Sequence, residues 1–242
     1  MTEYGLQMYS VRDLAKDDME SALRQVAEIG YKLIEFAGLY ENSAEDLVRM
    51  LKENNLKLSG THTGWKMLMP DTIDQTIAYH KALGNDYIII PNYDLSKKEN
   101  LDTLIDLINT IQPKLAAEGI TLGYHNHDYE FKMADYGQIP HEEIEKRTSV
   151  EFEIDTYWAY AAGRDPIAEL ERLKHRIRVI HLKDGFSDRR GMALGEGTAP
   201  VAAVREWCLK NGVRMVVESE TCQPTGIEEV TRCMRYLQTL DA

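Results

Sequence analysis

Short apolar segments alternate with longer amphipathic segments along the whole chain. Eight of the short segments are rich in Ile, Val, Leu and aromatic residues, which is typical of buried strands. They lie at residues 4–9, 32–37, 56–60, 86–90, 120–125, 150–155, 177–182 and 214–219. Between them, apolar residues recur at every third or fourth position, as in amphipathic helices. The pattern therefore predicts eight strands that alternate with helices.

Helix boundary signals support this prediction. Ser43 precedes an amphipathic run and is followed three residues later by Asp46, which is close to a capping box. Gly30 stands where the first long helical pattern stops, as a C-terminal glycine does. Pro166 suits the first turn of a helix, whereas Pro113 lies inside a long helical stripe and predicts a kink.

The alternation of strands and helices implies a parallel sheet covered by helices. Eight such units in 242 residues are typical of a single (β/α)8 TIM barrel. An open doubly wound sheet is the alternative, but no GxGxxG follows the first strand. Because no low-complexity linker interrupts the chain, we predict one domain over residues 1–242. In such a barrel the functional residues lie at the C-terminal ends of the strands.

Composition and charge narrow the class of partner. The formal net charge is −12, which disfavours binding to nucleic acid or to an anionic membrane. No apolar run approaches the roughly 20 residues that span a bilayer, and the first residues do not have the pattern of a signal peptide. The three cysteines share no metal-like spacing. We therefore expect a cytoplasmic protein that binds a small molecule.

Polar side chains are concentrated where the predicted strands end. Residues two apart on a strand share a face, so several pairs can point into the barrel together. These pairs are His125 with His127, Glu153 with Asp155, His181 with Lys183, and Glu218 with Glu220. Burying so many ionisable groups costs several kcal/mol unless something compensates their charge. A divalent cation would compensate by binding carboxylate oxygen and imidazole nitrogen, so the pattern favours a metal site.

Each of these residues also has a simpler interpretation. A single histidine in a loop is most often solvated or hydrogen-bonded, and Glu35 could pair with a nearby Lys or Arg. Trp158 could belong to the core. The metal site rests on the joint occurrence of these groups on four successive strands, because no single residue requires it.

Six motifs follow one another at the predicted strand ends and in one loop. They are GLQMYSVRD, GYHNHDYEF, EIDTYWAYAAGRDP, IRVIHLKDG, GEGT and VVESE. Together they resemble the xylose isomerase-like TIM-barrel superfamily, in its sugar phosphate isomerase/epimerase branch. The resemblance covers nearly the whole chain. Its motifs are specific for the superfamily and do not specify a substrate.

The resemblance implies one divalent cation, held in that family by Glu, Asp, His and Glu from strands 5 to 8. Asp155, His181 and Glu218 match the last three positions, and His125 stands where many relatives have Glu. Either His125 is the fourth ligand, or Glu130 reaches back from the loop to replace the carboxylate. The expected ion is Mn²⁺, with Mg²⁺, Co²⁺ and Zn²⁺ as alternatives.

The resemblance also implies roles in catalysis and substrate binding. Glu130 matches an acid–base Glu of relatives if one gap is allowed. We expect it to share proton transfer with His127, while Lys183 polarises an oxygen. Trp158 stands where several epimerases have a substrate-binding His. The residues expected to line the sugar pocket are Gln7, Tyr9, Glu35, His62, Trp158 and Glu196.

The expected activity is that of a metal-dependent sugar isomerase or epimerase, which moves a proton next to the carbonyl of a keto sugar or inositol derivative. The enzymatic alternative is a lyase or hydratase that performs β-elimination on 3-keto glycosides or an inosose. A non-catalytic sugar-binding protein is a further alternative. Endonucleases of the same superfamily use more metal ligands and a positive surface, which this chain does not offer. Family habit suggests a homodimer.

Whether the sugar is phosphorylated remains open from the sequence. Arg164, Lys183, Arg189 and Arg190 lie near the predicted rim of the barrel. They could meet a phosphate group, and ordinary surface charges explain them equally well.

Overall fold

Ten strands are present in the computed structural model, which describes residues 2–242. They are β1 (Gly5–Gln7), β2 (Leu33–Ala37), β3 (Lys57–His62), β4 (Tyr87–Ile90), β5 (Thr121–His125), β6 (Glu151–Asp155), β7 (Ile177–Leu182), β8 (Asp184–Gly185), β9 (Gly191–Met192) and β10 (Arg214–Val217). Strands β1 to β7 and β10 form a closed parallel barrel in chain order, and β10 pairs with β1 to close it. Strands β8 and β9 form a separate antiparallel hairpin.

Ten α-helices lie between or after these strands within residues 2–242. They are α1 (Arg12–Ala15), α2 (Met19–Ile29), α3 (Ala44–Glu53), α4 (Ile73–Leu83), α5 (Lys98–Ala117), α6 (Pro140–Arg147), α7 (Thr156–Ala161), α8 (Pro166–Leu173), α9 (Val201–Asn211) and α10 (Gly226–Asp241). Within residues 2–242, none of them combines the length and the apolar character that crossing a membrane requires. The predicted (β/α)8 barrel is confirmed, with the eight strands within a few residues of their predicted bounds.

The predicted helix boundaries are found with their expected geometry. The Ser43 hydroxyl accepts a hydrogen bond from the Asp46 amide at 3.1 Å. Gly30 ends α2 in the left-handed region, with φ of +120°. Pro166 lies in the first turn of α8. Pro113 lies inside α5, which continues as far as Ala117, so the proline does not end this helix.

The barrel interior changes from apolar to ionisable along the strands. Tyr87, Ile89, Val179 and Val216 form a small apolar cluster separate from the main core. Because inward positions recur every second residue, the next inward residues after Val179 and Val216 are His181 and Glu218. The chemistry-bearing layer therefore lies directly above the apolar layer, at the C-terminal end of the barrel.

The loop after β7 is folded around the carboxylate of Asp184. One oxygen accepts from the backbone N–H groups of Gly185 and Ala199, at 2.7 and 3.1 Å. The other accepts from Gly195 and Gly197, at 2.8 and 3.1 Å. A Cβ atom at Gly197 would lie only 2.3 Å from this carboxylate. The glycines of the GEGT motif therefore serve the structure of this loop.

Gly123 of β5 leaves room for Tyr87 inside the barrel. A Cβ atom at this position would lie 2.5 Å from the tyrosine hydroxyl oxygen and 2.7 Å from Cζ. Since overpacking a closed interior typically costs about 1–3 kcal/mol, we expect Gly123→Ala to lower the free energy of unfolding by that amount in urea titrations. Gly64→Ala is the control, because Gly64 has φ of −59° and no heavy atom near its Cβ position. Equal stability of the two variants would contradict this prediction.

Candidate active site

Four donor atoms converge at the C-terminal end of the barrel. His125 ends β5, Asp155 ends β6, His181 lies in β7, and Glu218 directly follows β10. The four side chains are buried, and their donor atoms lie within 4.8 Å of one another. Nε2 of His125, Oδ2 of Asp155 and Nδ1 of His181 have no hydrogen-bond partner among the described residues. Since an unpaired buried polar atom costs about 1–3 kcal/mol, this set fits a divalent cation with nitrogen and oxygen ligands.

Hydrogen bonds determine which nitrogen of each histidine faces the cluster. Nδ1 of His125 lies 3.2 Å from the carbonyl oxygen of Pro91, which can only accept, so the proton is on Nδ1 and Nε2 is free. Nε2 of His181 lies 2.9 Å from Oε1 of Glu35, which leaves Nδ1 facing Glu218 at 3.3 Å. Metal-binding histidines usually donate their second N–H group in this way.

Local structure also orients the carboxylate of Asp155. This residue caps α7, with Oδ1 accepting from the Trp158 amide at 2.9 Å and Oδ2 left unpaired. Its backbone N–H and C=O exchange two hydrogen bonds of 3.1 Å with the side chain of Asn126. The asparagine between the two histidines of GYHNHDYEF therefore ties the end of β5 to the end of β6. This link sets the spacing between His125 and Asp155.

A second ionisable layer lies beside the donor atoms and crosses the barrel interior. Oε1 of Glu35 accepts from Nε2 of Gln7 at 2.7 Å as well as from His181, and Oε2 of Glu153 lies 2.6 Å from Nε2 of His62. Glu35 and His181 lie on β2 and β7, and His62 and Glu153 lie on β3 and β6. In neither case are the two strands neighbours in the sheet. Gln7 and Glu35, which the sequence predicts to touch the sugar, are fully buried and support His181 instead of lining a cavity.

The charges of this layer are strongly coupled. Burial and the neighbouring charge of Glu35 raise the pKa of Glu153 to about 8. Although burial acts in the opposite direction, the hydrogen bond and charge of His181 lower the pKa of Glu35 to about 2. Burial also opposes a charge on His181, but Glu153 and Glu218 outweigh it and raise the pKa of His181 well above its ordinary value. The layer therefore favours positive charge, as a cation site requires.

A cavity of about 570 Å³ opens beside the four donor atoms, and its volume suits a small molecule. On the side of the donor atoms it is lined by His125, His127, Glu218 and Glu220. The opposite wall follows β1 to β4 and their loops. Its residues are Tyr9, Ala37, Gly38, Leu39, Thr61, His62, Thr63, Gly64, Met67, Pro91 and Asn92. Of the residues predicted to bind the sugar, Tyr9 and His62 lie on this wall.

His127 lies at the edge of the cavity with a free ring nitrogen. Its Nδ1 has no hydrogen-bond partner among residues 2–242, and its ring stacks on Tyr129 with a centroid distance of 5.6 Å. Burial lowers the pKa of His127, against the opposing charge of Asp155. The imidazole is therefore neutral near neutral pH and can accept a proton.

Lys183 lies among the carboxylates at the end of β7. Its Nζ donates to Oε2 of Glu218 at 3.0 Å and also to Glu220, and it lies 4.7 Å from the centroid of the Trp158 ring. Although burial acts against the charge, Glu218 and Asp155 raise the pKa of Lys183. The side chain therefore remains a cation. Trp158 is covered by this ammonium group and does not line the cavity.

Two further predicted residues lie away from the cavity. Glu130 is fully buried and accepts from the hydroxyl of Tyr124 at 3.0 Å and from the backbone N–H of His127 at 2.8 Å. Burial raises the pKa of Glu130 to about 7. Glu196 is exposed and accepts from Arg232 at 2.7 Å. Of the two residues considered for the fourth ligand position, His125 joins the donor cluster and Glu130 does not.

The predicted site residues leave out several side chains that the structure brings to the site. The alternation along the strands already places Glu153 and Glu220 on the inward face with Asp155 and Glu218, but it predicts no role for them. The loop residue Met67 lines the cavity without any signal in the sequence, because the path of its loop depends on tertiary contacts.

Comparison with known proteins places this barrel in a family. Residues 23–237 match the family model described as xylose isomerase-like TIM barrel. The chain belongs to this family. The resemblance based on the six motifs is thereby confirmed.

Proteins similar to this chain differ in their described activities. An inosose dehydratase of Clostridium botulinum (strain Alaska E43 / Type E3) is 26% identical over 201 residues, which cover 71% of this chain and 65% of that protein. The chain thus spans less than two thirds of the length of this relative. A solved structure described as a sugar phosphate isomerase/epimerase from Parabacteroides distasonis ATCC 8503 has a TM-score of 0.84 and 26% identity over 98% of both chains. A probable 3-DHS dehydratase from Bacillus anthracis shares the fold, with a TM-score of 0.77 and 14% identity over 98% of this chain and 99% of its own.

Removal of a single donor is expected to abolish metal binding at the candidate site. Asp155→Ala and His181→Ala each take away one buried donor and leave the others with uncompensated charge. We expect both variants to lose bound Mn²⁺ after reconstitution and desalting, measured by elemental analysis. Glu196→Ala is the control, because Glu196 pairs with Arg232 on the surface. A full metal equivalent in either ligand variant would show that the assignment is wrong.

Glu35 is expected to strengthen metal binding at the candidate site through His181. Glu35→Gln replaces the charged acceptor of the His181 N–H group by a neutral amide, so we expect the dissociation constant for Co²⁺ to rise about 10- to 100-fold, measured by visible absorption. Glu151→Gln is the matched control. Glu151 lies two residues before Glu153, on the same face of β6, and unlike Glu153 it has no histidine partner. Equal losses in the two variants would point to general damage to the barrel.

Proposed function

We propose that the protein is a metal-dependent isomerase or epimerase that moves a proton at the carbon next to the carbonyl of a keto sugar or inositol derivative. One observation supports this proposal above others. A cavity of small-molecule size lies beside a cluster of four donor atoms, which come from His125, Asp155, His181 and Glu218. Three of these atoms have no hydrogen-bond partner among the described residues. Two of the similar proteins are described as a sugar phosphate isomerase/epimerase and an inosose dehydratase. Both names denote enzymes whose substrates are polyhydroxylated carbonyl compounds or their phosphates.

The four side chains define the chemistry available to a cation. Two imidazole nitrogens and two carboxylates suit Mn²⁺ and also Co²⁺ or Zn²⁺. A bound divalent cation would act as a Lewis acid that polarises the substrate carbonyl and acidifies the neighbouring C–H bond. Glu35 and the Pro91 carbonyl hold the two imidazoles in the tautomers that this role requires.

Proton transfer groups flank the donor cluster on two sides. His127 follows β5 and Glu220 follows β10, at the two ends of the arc of strands that carries the four donors. The neutral His127 can remove the proton from one face of the substrate. Burial raises the pKa of Glu220, against the charge of Lys183, so this carboxyl group is suited to return a proton on the other side. The Lys183 ammonium group can polarise a substrate oxygen.

Glu130 receives a different role in this proposal. Its carboxylate is directed away from the cavity and accepts from the backbone N–H of His127. We therefore assign proton removal to His127 and assign Glu130 to the positioning of His127. The hydroxyl of Tyr124 holds the same carboxylate in place.

β-Elimination is the second candidate, and the 26% identity to an inosose dehydratase favours it. The reaction begins with the same removal of an α-proton by His127. The bond to the oxygen on the β-carbon then breaks, and Glu220 donates a proton to the leaving oxygen. Water leaves from an inosose, or an aglycone alcohol leaves from a 3-keto glycoside.

Proton exchange in D₂O is expected to identify the reaction. We expect the metal-loaded protein to incorporate deuterium next to the carbonyl of a ketose, 3-keto sugar or inosose, followed by NMR. Deuterium uptake without bond cleavage indicates an isomerase or epimerase, and release of water or an aglycone indicates β-elimination. A protein that binds metal and sugar but never exchanges the proton is a binding protein, and this result would contradict the proposal.

Two variants of the β5 loop are expected to separate the proposed roles. His127→Gln removes the proposed base, so we expect exchange to slow by about 10²- to 10⁴-fold at unchanged metal content. Glu130→Gln keeps an oxygen that accepts from the His127 N–H group, so we expect a much smaller loss. The reverse order of the two effects, measured as initial rates of deuterium uptake, would return the proton-transfer role to Glu130.

A further inference from the structure

Three polar residues of the motif GLQMYSVRD, which are Ser10, Arg12 and Asp13, do not line the cavity. They lie in a short 3-10 turn and in α1, which directly follow β1. Because β1 pairs with β10, this segment lies beside the loop that follows β10 and carries Glu220. The three residues are therefore placed to act on that loop.

Ser10 and Asp13 bind the two ends of the loop. The Ser10 hydroxyl accepts from the backbone N–H of Ser219 at 3.0 Å, and a carboxylate oxygen of Asp13 accepts from that of Gly226 at 3.0 Å. A Cβ atom at Gly226 would lie only 2.4 Å from the carbonyl oxygen of Ser10. The loop is thus packed directly on the motif, although 209 residues separate Ser10 from Ser219 in the chain.

Arg12 binds the middle of the loop, at the backbone of Glu220. Its Nη2 donates to the carbonyl oxygen of Glu220 at 2.8 Å, and its Nη1 donates to the carbonyl oxygen of Tyr9 at 2.8 Å. The guanidinium carbon also lies 4.1 Å from the centroid of the Tyr9 ring. Since Tyr9 and Glu220 both line the cavity, one side chain holds two residues of the cavity wall.

The candidate metal ligand Glu218 is held in a different way. Its backbone N–H donates to a carbonyl oxygen of β7 at 3.0 Å, which continues the pairing of β10 with β7. Residues 219–225 form no helix or strand, so the position of Glu220 depends on loop contacts and on the ammonium group of Lys183. Loss of the Arg12 contact is therefore expected to displace Glu220 and to leave Glu218 in place.

We propose that Arg12 is a positioning residue that holds Glu220 at the substrate for the return of the proton. This role rests on the proposed function, in which His127 removes a proton and Glu220 returns one on the other side. Within residues 2–242, the side-chain hydrogen bonds of Arg12 go to Tyr9 and Glu220. Its effect therefore falls on the return of the proton and not on its removal by His127.

Arg12→Met allows the two halves of the reaction to be measured separately. The Mn²⁺-loaded variant is incubated in D₂O with D-fructose, D-allulose or scyllo-inosose, and deuterium in the recovered substrate and in the product is followed by mass spectrometry. Because a displacement of about 1 Å can slow a reaction step about 100-fold, we expect product formation to fall by about 10- to 100-fold, while deuterium uptake into the recovered substrate stays within about threefold of wild type. A parallel fall of both rates would overturn the proposal.

Arg176→Met is the matched control for the loss of an arginine. Arg176 also donates to two backbone carbonyl oxygens, those of Val150 and Glu145, and its guanidinium carbon lies 4.8 Å from the centroid of the Phe152 ring. It directly precedes β7, at the opposite end of the barrel from the candidate site. We expect this variant to keep the wild-type ratio of deuterium uptake to product formation. The same change of ratio in both variants would contradict a specific role for Arg12.

Arg12→Lys provides a second variant should Arg12→Met not fold. Lysine keeps a positive charge beside Tyr9 but lacks the planar guanidinium group that binds two carbonyl oxygens at once. We expect its ratio of deuterium uptake to product formation to lie between those of wild type and Arg12→Met. A wild-type ratio in Arg12→Lys would show that the bridge between the two carbonyl oxygens is not required, which contradicts the proposal.

Cys222 reports on the loop without any turnover. This residue lies two positions after Glu220 and is partly exposed, with Sγ 3.7 Å from the carbonyl oxygen of Ser10, whereas the other two cysteines are buried. Burial raises the pKa of the Cys222 thiol and the charge of Arg12 acts against this rise, so loss of the charge would by itself slow modification of the thiol. We nevertheless expect labelling by DTNB to be about tenfold faster in Arg12→Met, because the loop opens more often. An unchanged or slower rate would overturn the proposal, and Cys222→Ser identifies the labelled thiol.

These measurements distinguish this proposal from the proposed function. If wild type neither exchanges nor converts any of the three probes, the result contradicts the proposed function, and the rate of Cys222 labelling still decides whether Arg12 holds the loop. If wild type is active and Arg12→Met matches it in exchange and in product formation, the reaction stands and the role of Arg12 is removed.

Discussion

The burial of ionisable groups on the axis of a closed barrel is the constraint on which the rest of this structure depends. Parallel strands that close on themselves bring the inward residues of neighbouring strands into one layer, whatever their charge. At the C-terminal end two such layers contain Asp155, His181, Glu153 and Glu218, none of which is accessible enough to be stabilised by water. Each group must therefore be neutralised by a proton, by a protein partner or by a bound cation.

The charges of the buried carboxylates are stabilised in three different ways in this fold. Asp184 and Glu229 neutralise their charge with backbone N–H groups and thereby shape the loops around the barrel mouth. Glu35 accepts from Gln7 and His181 and holds the histidine in one tautomer. Asp155 uses one oxygen as a helix cap and keeps the other unpaired for the cluster. The geometry of the candidate metal centre is thus supported by groups that do not touch a substrate.

The chain belongs to the xylose isomerase-like TIM-barrel family, and its candidate site can be compared with the metal site that the resemblance implies. The resemblance seen in the sequence implies metal-binding positions at Asp155, His181 and Glu218, and it implies that His125 stands where many relatives have Glu. This replacement removes one carboxylate from the cluster and leaves His127 and Glu220 on either side of it. The cavity beyond the cluster combines an aliphatic wall with uncharged polar groups.

The sequence by itself determined the barrel and the inward face of each strand, because the alternation of side chains is a local property of an extended chain. It therefore indicated the donor set and left one choice open, between His125 and Glu130. Tertiary structure alone directed Glu130 toward Tyr124, Glu196 toward Arg232 and Glu35 toward His181. Glu35 and His181 are 146 residues apart, and they meet because closure of the barrel brings β2 and β7 across a common interior. No local pattern encodes such a contact, so the division between supporting and reacting residues became visible only in the folded chain.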